Sequence, residues 1–297
     1  MTRRDGQLEL VDVAGVEVAA WNPVRDTGRW GRRALVSRPV GNFGDLLGPV
    51  IVRELVAQLG LGAARVPGRR LLAVGSVLHF GRPGDVVWGA GRNAKAGPPP
   101  DGLDVRAVRG PRTGVDYPGA VVGGDPALLL GGLRPDLLVE PAARSGVVVV
   151  PNLNELARLR DRRGVLSPRA PLARVLRTIA RSTLVVGSSL HGVIVAEALG
   201  VPARAVRAVE EPPLKYEDYY LATGRDPDEV VAASVEEALE RGGAPAPAWD
   251  PNPLLGAFPA ELWAGVPVTG AVEGVAQRTR EAAGHWRRDP RTGVIAG

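Results

Sequence analysis

A run of four valines, Val147–Val150, lies between Gly146 and Pro151 and constrains the fold more strongly than any other feature of this sequence. A short apolar run bounded by turn residues is typical of a parallel strand that is buried on both faces of its sheet. Similar runs recur along the chain, and segments with apolar residues at helical spacing separate them. This alternation predicts an α/β fold with parallel sheets.

The predicted elements divide the chain into two sets. The predicted strands are 33–37, 71–74, 86–88, 105–108, 120–122, 147–150, 184–186 and 203–206. The predicted helices are 46–59, 152–162, 172–181, 190–199, 226–241 and 272–283. A stretch rich in glycine and proline near 131–141 predicts a boundary between a domain at 1–135 and a domain at 136–297. The second domain is expected to contain a linker rich in proline and alanine, followed by the C-terminal helix.

The composition excludes several kinds of function. The absence of cysteine excludes disulfides and zinc–thiolate sites, and three histidines far apart in the sequence predict no metal site. The N-terminus has arginines but no apolar run after them, and no uncharged apolar run is long enough to span a bilayer. We therefore predict a soluble, cytoplasmic protein without an integral membrane segment, and peripheral association with the inner face of the membrane stays open.

The formal net charge of +5 comes almost entirely from arginine, because only two of the 37 basic residues are lysines, Lys95 and Lys215. The arginines are scattered and no aromatic residues interleave with them, so no nucleic-acid partner is predicted. A mildly basic protein suits a small anionic substrate instead.

Several polar and glycine-containing stretches lie where predicted strands end, and ligands bind at that edge of a parallel sheet. One of them, Gly-Asn-Phe-Gly-Asp, precedes a helix, so Asn42, Gly44 and Asp45 are candidate substrate-binding residues. The alternative is that Asp45 only caps the helix. Gly89 follows a strand and would let the backbone approach a ligand. His79, a short loop earlier, is interpreted as a loop residue.

Three arginines lie in or just after the predicted strand 105–108, at Arg106, Arg109 and Arg112. Guanidinium groups bind carboxylate or phosphate through paired, planar hydrogen bonds, so these residues are candidates for holding an anion. The alternative is that they reflect only an arginine-rich composition. Which of the three holds a ligand stays open.

His191 lies in the first turn of a predicted helix that follows the strand 184–186. Ser188 or Ser189 is the predicted N-cap, and both are candidate binding residues. An imidazole in this position lies beside unpaired amides and hydroxyls and can exchange protons near neutral pH. His191 is therefore the candidate acid–base catalyst, and the alternative is a core histidine bonded to backbone. The spacing of the serines is not that of a nucleophile elbow.

Lys215 lies in a cluster of aromatic and acidic residues. It is a candidate for holding phosphate, and Tyr219 and Tyr220 are candidates for stacking on a sugar face. The alternative is a helix that packs across a domain cleft, with Lys215 paired to Glu217 or Asp218.

Together these stretches resemble the polysaccharide pyruvyl transferase family, from Gly41 to about Gly224. No single motif makes the resemblance specific. The order and spacing of all the motifs together do. The motifs are Asn42-Phe43-Gly44-Asp45, Gly75-Ser76-Val77-Leu78, Val87-Trp88-Gly89-Ala90-Gly91, Val105 to Pro111, Gly124-Asp125-Pro126-Ala127-Leu128-Leu129-Leu130, Ser188-Ser189-Leu190-His191-Gly192 and Leu214-Lys215-Tyr216-Glu217-Asp218-Tyr219-Tyr220.

The resemblance implies a GT-B-like fold of two Rossmann-like domains with the active site in the interdomain cleft. It implies an enzyme that transfers a pyruvyl group from phosphoenolpyruvate to two hydroxyls of a sugar of a polysaccharide precursor, which forms a cyclic ketal. The implied partners are phosphoenolpyruvate, as donor substrate without a separate cofactor, and a glycan or lipid-linked sugar acceptor. The family's essential histidine maps onto His191, and its donor-binding arginine maps best onto Arg109.

The sequence departs from the family at Pro151-Asn152, where related sequences often have Pro-His. Two alternatives therefore stay open beside the pyruvyl transferase. The first is a GT-B glycosyltransferase that uses a nucleotide sugar. The second is a non-catalytic paralogue that binds a glycan or an anionic metabolite. The sequence does not predict the acceptor sugar, the hydroxyls that are bridged or the oligomeric state.

Overall fold

The computed structural model describes residues 2–26 and 37–287. Its strands are β1 (Thr2–Asp5), β2 (Leu8–Val13), β3 (Val16–Trp21), β4 (Val24–Asp26), β5 (Ser37–Pro39), β6 (Arg70–Leu72), β7 (Val86–Trp88), β8 (Asp104–Val108), β9 (Val121–Val122), β10 (Val147–Val149), β11 (Leu184–Gly187) and β12 (Ala203–Ala205). The strand predicted at 33–37 lies outside the described residues except for Ser37, where β5 begins.

Seven strands form one mixed sheet, in the order β1-β2-β3-β6-β7-β8-β9. The first three are antiparallel neighbours, and every pair from β3 to β9 is parallel. Strands β10, β11 and β12 form a second sheet that is parallel throughout. Strands β4 and β5 form a two-stranded antiparallel ribbon. The predicted α/β class with parallel sheets is confirmed.

The antiparallel strands at the N-terminus were not predicted, although the sequence carries a signal for them. Strand β2 begins with alternating buried and partly exposed residues, as strands with one buried face do, whereas β3 contains three consecutive buried residues, Val18, Ala19 and Ala20. The turn between them contains Ala14, which adopts a positive φ of 50°, followed by Gly15. Alanine is unusual in this conformation, so the turn lacks the Asn-Gly or Asp-Gly pair that normally announces a hairpin.

The helices are α1 (Leu47–Gln58), α2 (Pro111–Gly114), α3 (Leu130–Leu133), α4 (Leu156–Leu159), α5 (Leu172–Ala180), α6 (Leu190–Ala198), α7 (Leu214–Ala222), α8 (Pro227–Val230), α9 (Val235–Arg241), α10 (Asn252–Gly256) and α11 (Ala271–Arg287). Short 3-10 helices at Phe43–Leu46 and Pro126–Leu129 lead into α1 and α3.

Two predicted helices are shorter or interrupted. The helix predicted at 152–162 is reduced to α4. A turn precedes it, in which the side chain of Asn152 accepts hydrogen bonds from the backbone of Asn154 and Glu155. The helix predicted at 226–241 is divided into α8 and α9. Between them Ala232 forms a parallel bridge with Val206, which extends the second sheet by one pairing.

Helix α6 is surrounded by protein, which explains why its sequence is apolar all round. Eight of its nine residues are buried, and the exception is His191. Helix α6 packs against strands β11 and β12 on one side and against the Pro126–Leu129 turn on the other. It therefore joins the second sheet to the first half of the chain and leaves a single side chain open to a ligand.

The glycines near the predicted domain boundary serve helix packing. Gly131 and Gly132 are buried in α3, which lies against α6 and α11. A Cβ on Gly131 would stand 2.2 Å from the carbonyl oxygen of Ala198, and one on Gly132 would stand 2.2 Å from Thr279 Oγ1. The boundary at 135 stays a prediction.

The last part of the chain returns to the first sheet. The indole of Trp88 on β7 donates a hydrogen bond of 2.8 Å to the carbonyl of Leu254, and the indole of Trp263 donates one of 3.0 Å to the carbonyl of Val13. Both indoles are fully buried. These contacts tie 254–287 to strands near the N-terminus.

Replacing Gly132 with alanine is expected to destabilise the protein by about 2–3 kcal/mol, because overpacking of a close helix contact forces the backbone apart. The added Cβ would lie 2.7 Å from the backbone nitrogen of Thr279 and 2.9 Å from the carbonyl oxygen of Val275, and neither can rotate away. Urea unfolding measures the change. Gly284→Ala is the matched control, since a Cβ there meets nothing within 4 Å. Equal stabilities of the two variants would contradict the packing role of Gly132.

Candidate active site

A cavity of about 380 Å³ lies between the carboxyl ends of the strands of both sheets. From the first sheet it receives residues that follow β6, β7 and β8, and from the second sheet residues that follow β10, β11 and β12. The polar and charged residues that line it include Asn42, Asp45, Ser76, His79, Lys95, Arg109, Asn152, Ser189, His191, Glu211 and Lys215. Six of these were predicted as site residues: Asn42, Asp45, Arg109, Ser189, His191 and Lys215.

His191 reaches the cavity because it lies in the first turn of α6. Ser189 is the N-cap, and its hydroxyl accepts a hydrogen bond of 3.2 Å from the backbone nitrogen of Gly192. The His191 side chain is 12% exposed. Its Nε2 atom is buried, lacks a hydrogen-bond partner and lies 3.6 Å from Oδ2 of Asp125. Nε2 is therefore closed to a ligand, and Nδ1 is the ring nitrogen that remains for proton exchange.

Gly44 supports this ring and does not line the cavity. A Cβ at Gly44 would stand 2.4 Å from Nδ1 of His191 and 2.7 Å from its Cγ. The absence of a side chain in the predicted Asn-Phe-Gly-Asp motif thus leaves room for the imidazole. The motif also supplies Asp45, whose carboxylate accepts a hydrogen bond of 2.5 Å from the Asn42 side chain. Burial raises the pKa of Asp45, and the positive charge of protonated His191 opposes that rise.

Arg109 follows β8 and is held by buried partners. Its Nη1 donates a hydrogen bond of 3.2 Å to Ser76 Oγ, and its Nη2 lies 3.3 Å from Oδ2 of Asp218. Asp218 is fully buried on α7 and also accepts hydrogen bonds from the backbone and the hydroxyl of Thr113. Gly91 leaves room for the guanidinium, since a Cβ there would be 2.3 Å from Nη2. The Nε and Nη2 atoms lack hydrogen-bond partners although they are buried.

The structure separates the three arginines that the sequence left open. Arg109 lines the cavity, and Arg106 and Arg112 do not. Arg106, predicted as a binding residue, is 41% exposed and pairs with Asp104 and Glu261 at 2.6 and 2.8 Å. These partners draw its side chain to the surface.

The two lysines of the chain meet at one carboxylate on the wall of the cavity. Lys95 Nζ lies 2.9 Å from Oε1 of Glu211, and Lys215 Nζ lies 3.2 Å from Oε2. The alternative partners expected for Lys215, Glu217 and Asp218, are therefore not the ones it contacts. Burial lowers the pKa of Lys215, and the charge of Glu211 counteracts this. Burial alone would raise the pKa of Glu211, but the two lysines lower it overall.

Two other predicted binding residues lie behind the cavity wall. Ser188 is buried and donates a hydrogen bond to Glu155, and its oxygen accepts one of 3.1 Å from the backbone of Asn152. Gly89 has a positive φ of 88°, and a Cβ there would be 2.3 Å from Cγ of Pro126. Both residues shape the site without facing it.

The prediction that Tyr219 and Tyr220 stack on a sugar is wrong. Both side chains are fully buried in α7. The hydroxyl of Tyr219 donates to the buried carboxylate of Glu197, and the guanidinium of Arg225 lies 4.6 Å from the centre of the Tyr220 ring. The two tyrosines belong to the core.

Sequence reasoning did not assign to the site five residues that line the cavity, Ser76, His79, Lys95, Asn152 and Glu211, or Asp125 behind it. His79 lines the cavity, its Nδ1 atom is buried without a partner, and burial lowers its pKa. His79 and Ser76 follow β6, so their position at a strand end was an available signal. For Asp125 the signal was a single carboxylate in front of the apolar run Pro126–Leu130.

Within 2–26 and 37–287, no cluster of three histidine or acidic residues has an arrangement that could hold a metal ion. In the same ranges no helix combines the length and the apolar character that crossing a membrane requires.

Residues 101–207 match the family model of polysaccharide pyruvyl transferase. The match confirms over this range the resemblance that the sequence motifs indicated. It includes Arg109, Asp125, Asn152 and His191 and ends before Glu211 and Lys215. Neither the curated proteins nor the solved structures contain a significant match to this chain.

Proposed function

We propose that this protein transfers the pyruvyl group of phosphoenolpyruvate to two hydroxyls of a sugar in a polysaccharide precursor and forms a pyruvate ketal. The family match supports pyruvyl transfer to polysaccharide in general. One observation carries the proposal further: His191, Arg109 and Lys215, from distant parts of the chain, line one cavity. An acid–base group and two cations are what an anionic enol phosphate requires.

Arg109 and Lys215 are proposed to hold the donor. Phosphoenolpyruvate carries a carboxylate and a phosphate, and the guanidinium of Arg109, which lines the cavity, is a group that binds either anion. Lys215 supplies a compact charge for phosphate. The cavity volume of about 380 Å³ lies within the range of about 300–1,000 Å³ that small-molecule sites occupy.

His191 is proposed to deliver and recover the proton. Protonated His191 gives the hydrogen on Nδ1 to the methylene carbon of the donor, which becomes a methyl group and leaves cation character on the adjacent carbon. A sugar hydroxyl attacks that carbon and returns its proton to Nδ1. Phosphate then leaves, a second hydroxyl closes the ring, and its proton goes to the departing phosphate. The balance is one ketal and one inorganic phosphate, without a separate cofactor.

The domain architecture, the substrate contacts and the cellular location of the protein are also proposals. We propose a GT-B-like arrangement, in which Rossmann-like domains at 1–135 and 136–297 enclose the cavity as their cleft. Asn42, Asp45 and Ser189 are proposed to contact substrate from the two sides of the cleft. The acceptor is proposed to be a glycan or a lipid-linked sugar, and the protein to act in the cytoplasm or at the inner face of the membrane.

The proposal is tested by incubating the protein with phosphoenolpyruvate and a panel of glycans and lipid-linked sugars. Phosphate release is measured, and the ketal methyl group is detected by proton NMR. We expect phosphate and ketal in equal amounts with at least one acceptor. Turnover of a nucleotide sugar without phosphoenolpyruvate would establish a glycosyltransferase instead. Tight binding of phosphoenolpyruvate with no turnover on any acceptor would establish a binding protein.

Glu211→Gln is expected to tighten donor binding, because it removes the carboxylate that pairs with both lysines at the cavity wall. An interaction of about 1 kcal/mol corresponds to a decrease of about fivefold in the KM for phosphoenolpyruvate. Without Glu211, burial lowers the pKa of Lys215 against only the smaller opposing effect of the Asp45 charge, so Lys215 loses its charge at lower pH and the gain in donor affinity shrinks as pH rises.

Steady-state kinetics across pH measures this effect. Glu217→Gln is the control, since Glu217 pairs with Arg112 outside the cavity at 3.4 Å. A higher KM in Glu211→Gln would indicate that Glu211 organises the site rather than competes with the donor.

A further inference from the structure

Asp125 lies directly behind His191, at the end of the loop that follows β9. It is fully buried, and its Oδ1 atom accepts a hydrogen bond of 3.0 Å from the backbone nitrogen of Ala127. Its Oδ2 atom lies 3.6 Å from Nε2 of His191. Both of these facing atoms are buried and neither has a hydrogen-bond partner. At 3.6 Å the pair is too long for a hydrogen bond, and catalytic pairs often close only when the substrate is bound.

The cap at Ala127 does not explain a carboxylate at this position. Asparagine caps helices as well as aspartate does, and the cap uses only one side-chain oxygen. Burying a carboxylate oxygen without a partner costs several kcal/mol of folding free energy. An uncharged asparagine would cap the helix without this cost. A hydrogen bond from Nε2 of His191 explains why position 125 carries an aspartate rather than an asparagine.

We propose that Asp125 is a positioning residue for His191, accepting a hydrogen bond from Nε2–H and so keeping Nδ1 as the nitrogen that faces the cavity. The catalytic role of this pairing rests on the proposed function. The pairing of Asp125 with His191 itself does not. Asp125 itself takes no proton: His191 gives up and regains the hydrogen on Nδ1, while the hydrogen on Nε2 stays between the ring and the carboxylate. The aspartate of a Ser-His-Asp triad orients its histidine by the same principle.

Other charged groups around the ring do not perform this role. Asp45, on the turn before α1, acts on the ring through its charge, and its carboxylate already accepts a hydrogen bond from Asn42. Arg109, Glu211 and Lys215 line the cavity itself. Asp125 is the carboxylate that lies at the buried nitrogen.

The first test is the tautomer of neutral His191, which does not require any enzymatic activity. The chain has three histidines, so ¹⁵N-labelled protein gives a simple spectrum, and the signals missing in His191→Gln identify the residue. In the wild-type protein at alkaline pH we expect the hydrogen on Nε2 and a bare Nδ1. A hydrogen on Nδ1 would overturn the proposal.

The second test is Asp125→Asn. The amide oxygen of asparagine can keep the cap at Ala127, which turns the NH₂ group toward Nε2 and favours the opposite tautomer of His191. We expect the hydrogen to move to Nδ1. With an active acceptor we also expect kcat to fall by about 10²–10⁴-fold, with the KM for phosphoenolpyruvate changed by less than about threefold.

Asp226→Asn is the matched control, because Asp226 caps α8 through the backbone nitrogen of Asp228 and is not among the residues that line the cavity. We expect the tautomer and kcat to be unchanged in this variant. An unchanged tautomer in Asp125→Asn would overturn the inference. If the protein had no pyruvyl transferase activity but the tautomer reversed as expected, the proposed function would fail and the pairing of Asp125 with His191 would stand.

Discussion

Replacing His191 with glutamine is expected to lower kcat for ketal formation by about 10²–10⁴-fold, the usual contribution of a well-placed acid–base group. Glutamine cannot give a proton to the methylene carbon, but it is similar in size and leaves the helix start intact. Affinity for phosphoenolpyruvate is therefore expected to change by less than about threefold, since the cations that hold the donor are untouched.

Isothermal titration with phosphoenolpyruvate and single-turnover detection of the ketal by NMR separate the two effects. Retained binding shows that the variant is folded, so a loss of turnover can be assigned to the chemistry. Ketal formation at a near-normal rate would remove His191 from the mechanism. Loss of donor binding together with turnover would mean that the ring mainly binds substrate.

Arg109→Gln is expected to raise the KM for phosphoenolpyruvate by about 10²-fold, which corresponds to about 3 kcal/mol for a buried, charged hydrogen-bonding group. It also leaves Asp218 buried without its cation, so a loss of about 3 kcal/mol in the free energy of unfolding accompanies it. Arg109→Lys keeps the charge and loses the planar fork, so we expect an intermediate KM and a smaller loss of stability.

Steady-state kinetics and urea unfolding of the same preparations distinguish binding from stability. Arg106→Gln and Arg112→Gln are the matched controls, because both arginines pair with acids outside the cavity. We expect both controls to keep the wild-type KM. A raised KM in Arg106→Gln with a normal KM in Arg109→Gln would move the donor away from the cavity described above.

The elements that the sequence predicted well are those whose boundaries are set locally. Strand β7 has the predicted bounds, and β11 and α6 differ from theirs by one residue, because apolar runs there end at glycine or begin at a serine cap. Helix α4 is shorter than predicted, and a turn held by the side chain of Asn152 occupies the start of the predicted range. The hairpin of β2 and β3 was missed because its turn residue is Ala14 rather than asparagine.

The residues of the site also fall into two groups, those placed by local sequence and those placed by contacts between distant segments. His191 and Arg109 could be placed at strand ends from local sequence, and the structure brings both to one cavity. Arg106 pairs with Asp104, two residues before it, and with Glu261, far along the chain, and local pattern contains no information about the second pairing. The contact of Lys95 with Glu211 and the approach of Asp125 to His191 likewise depend on how distant segments fold together.

The hydrogen bonds from Trp88 and Trp263 have a consequence for any attempt to cut the chain. A fragment ending at 135 would keep the Trp88 indole but lose Leu254, which accepts its hydrogen. It would also uncover Gly131 and Gly132, which α11 and α6 cover in the intact chain. The first sheet therefore has these buried contacts only when the C-terminal segment is present, so the segment 1–135 is expected to be less stable alone than within the intact chain.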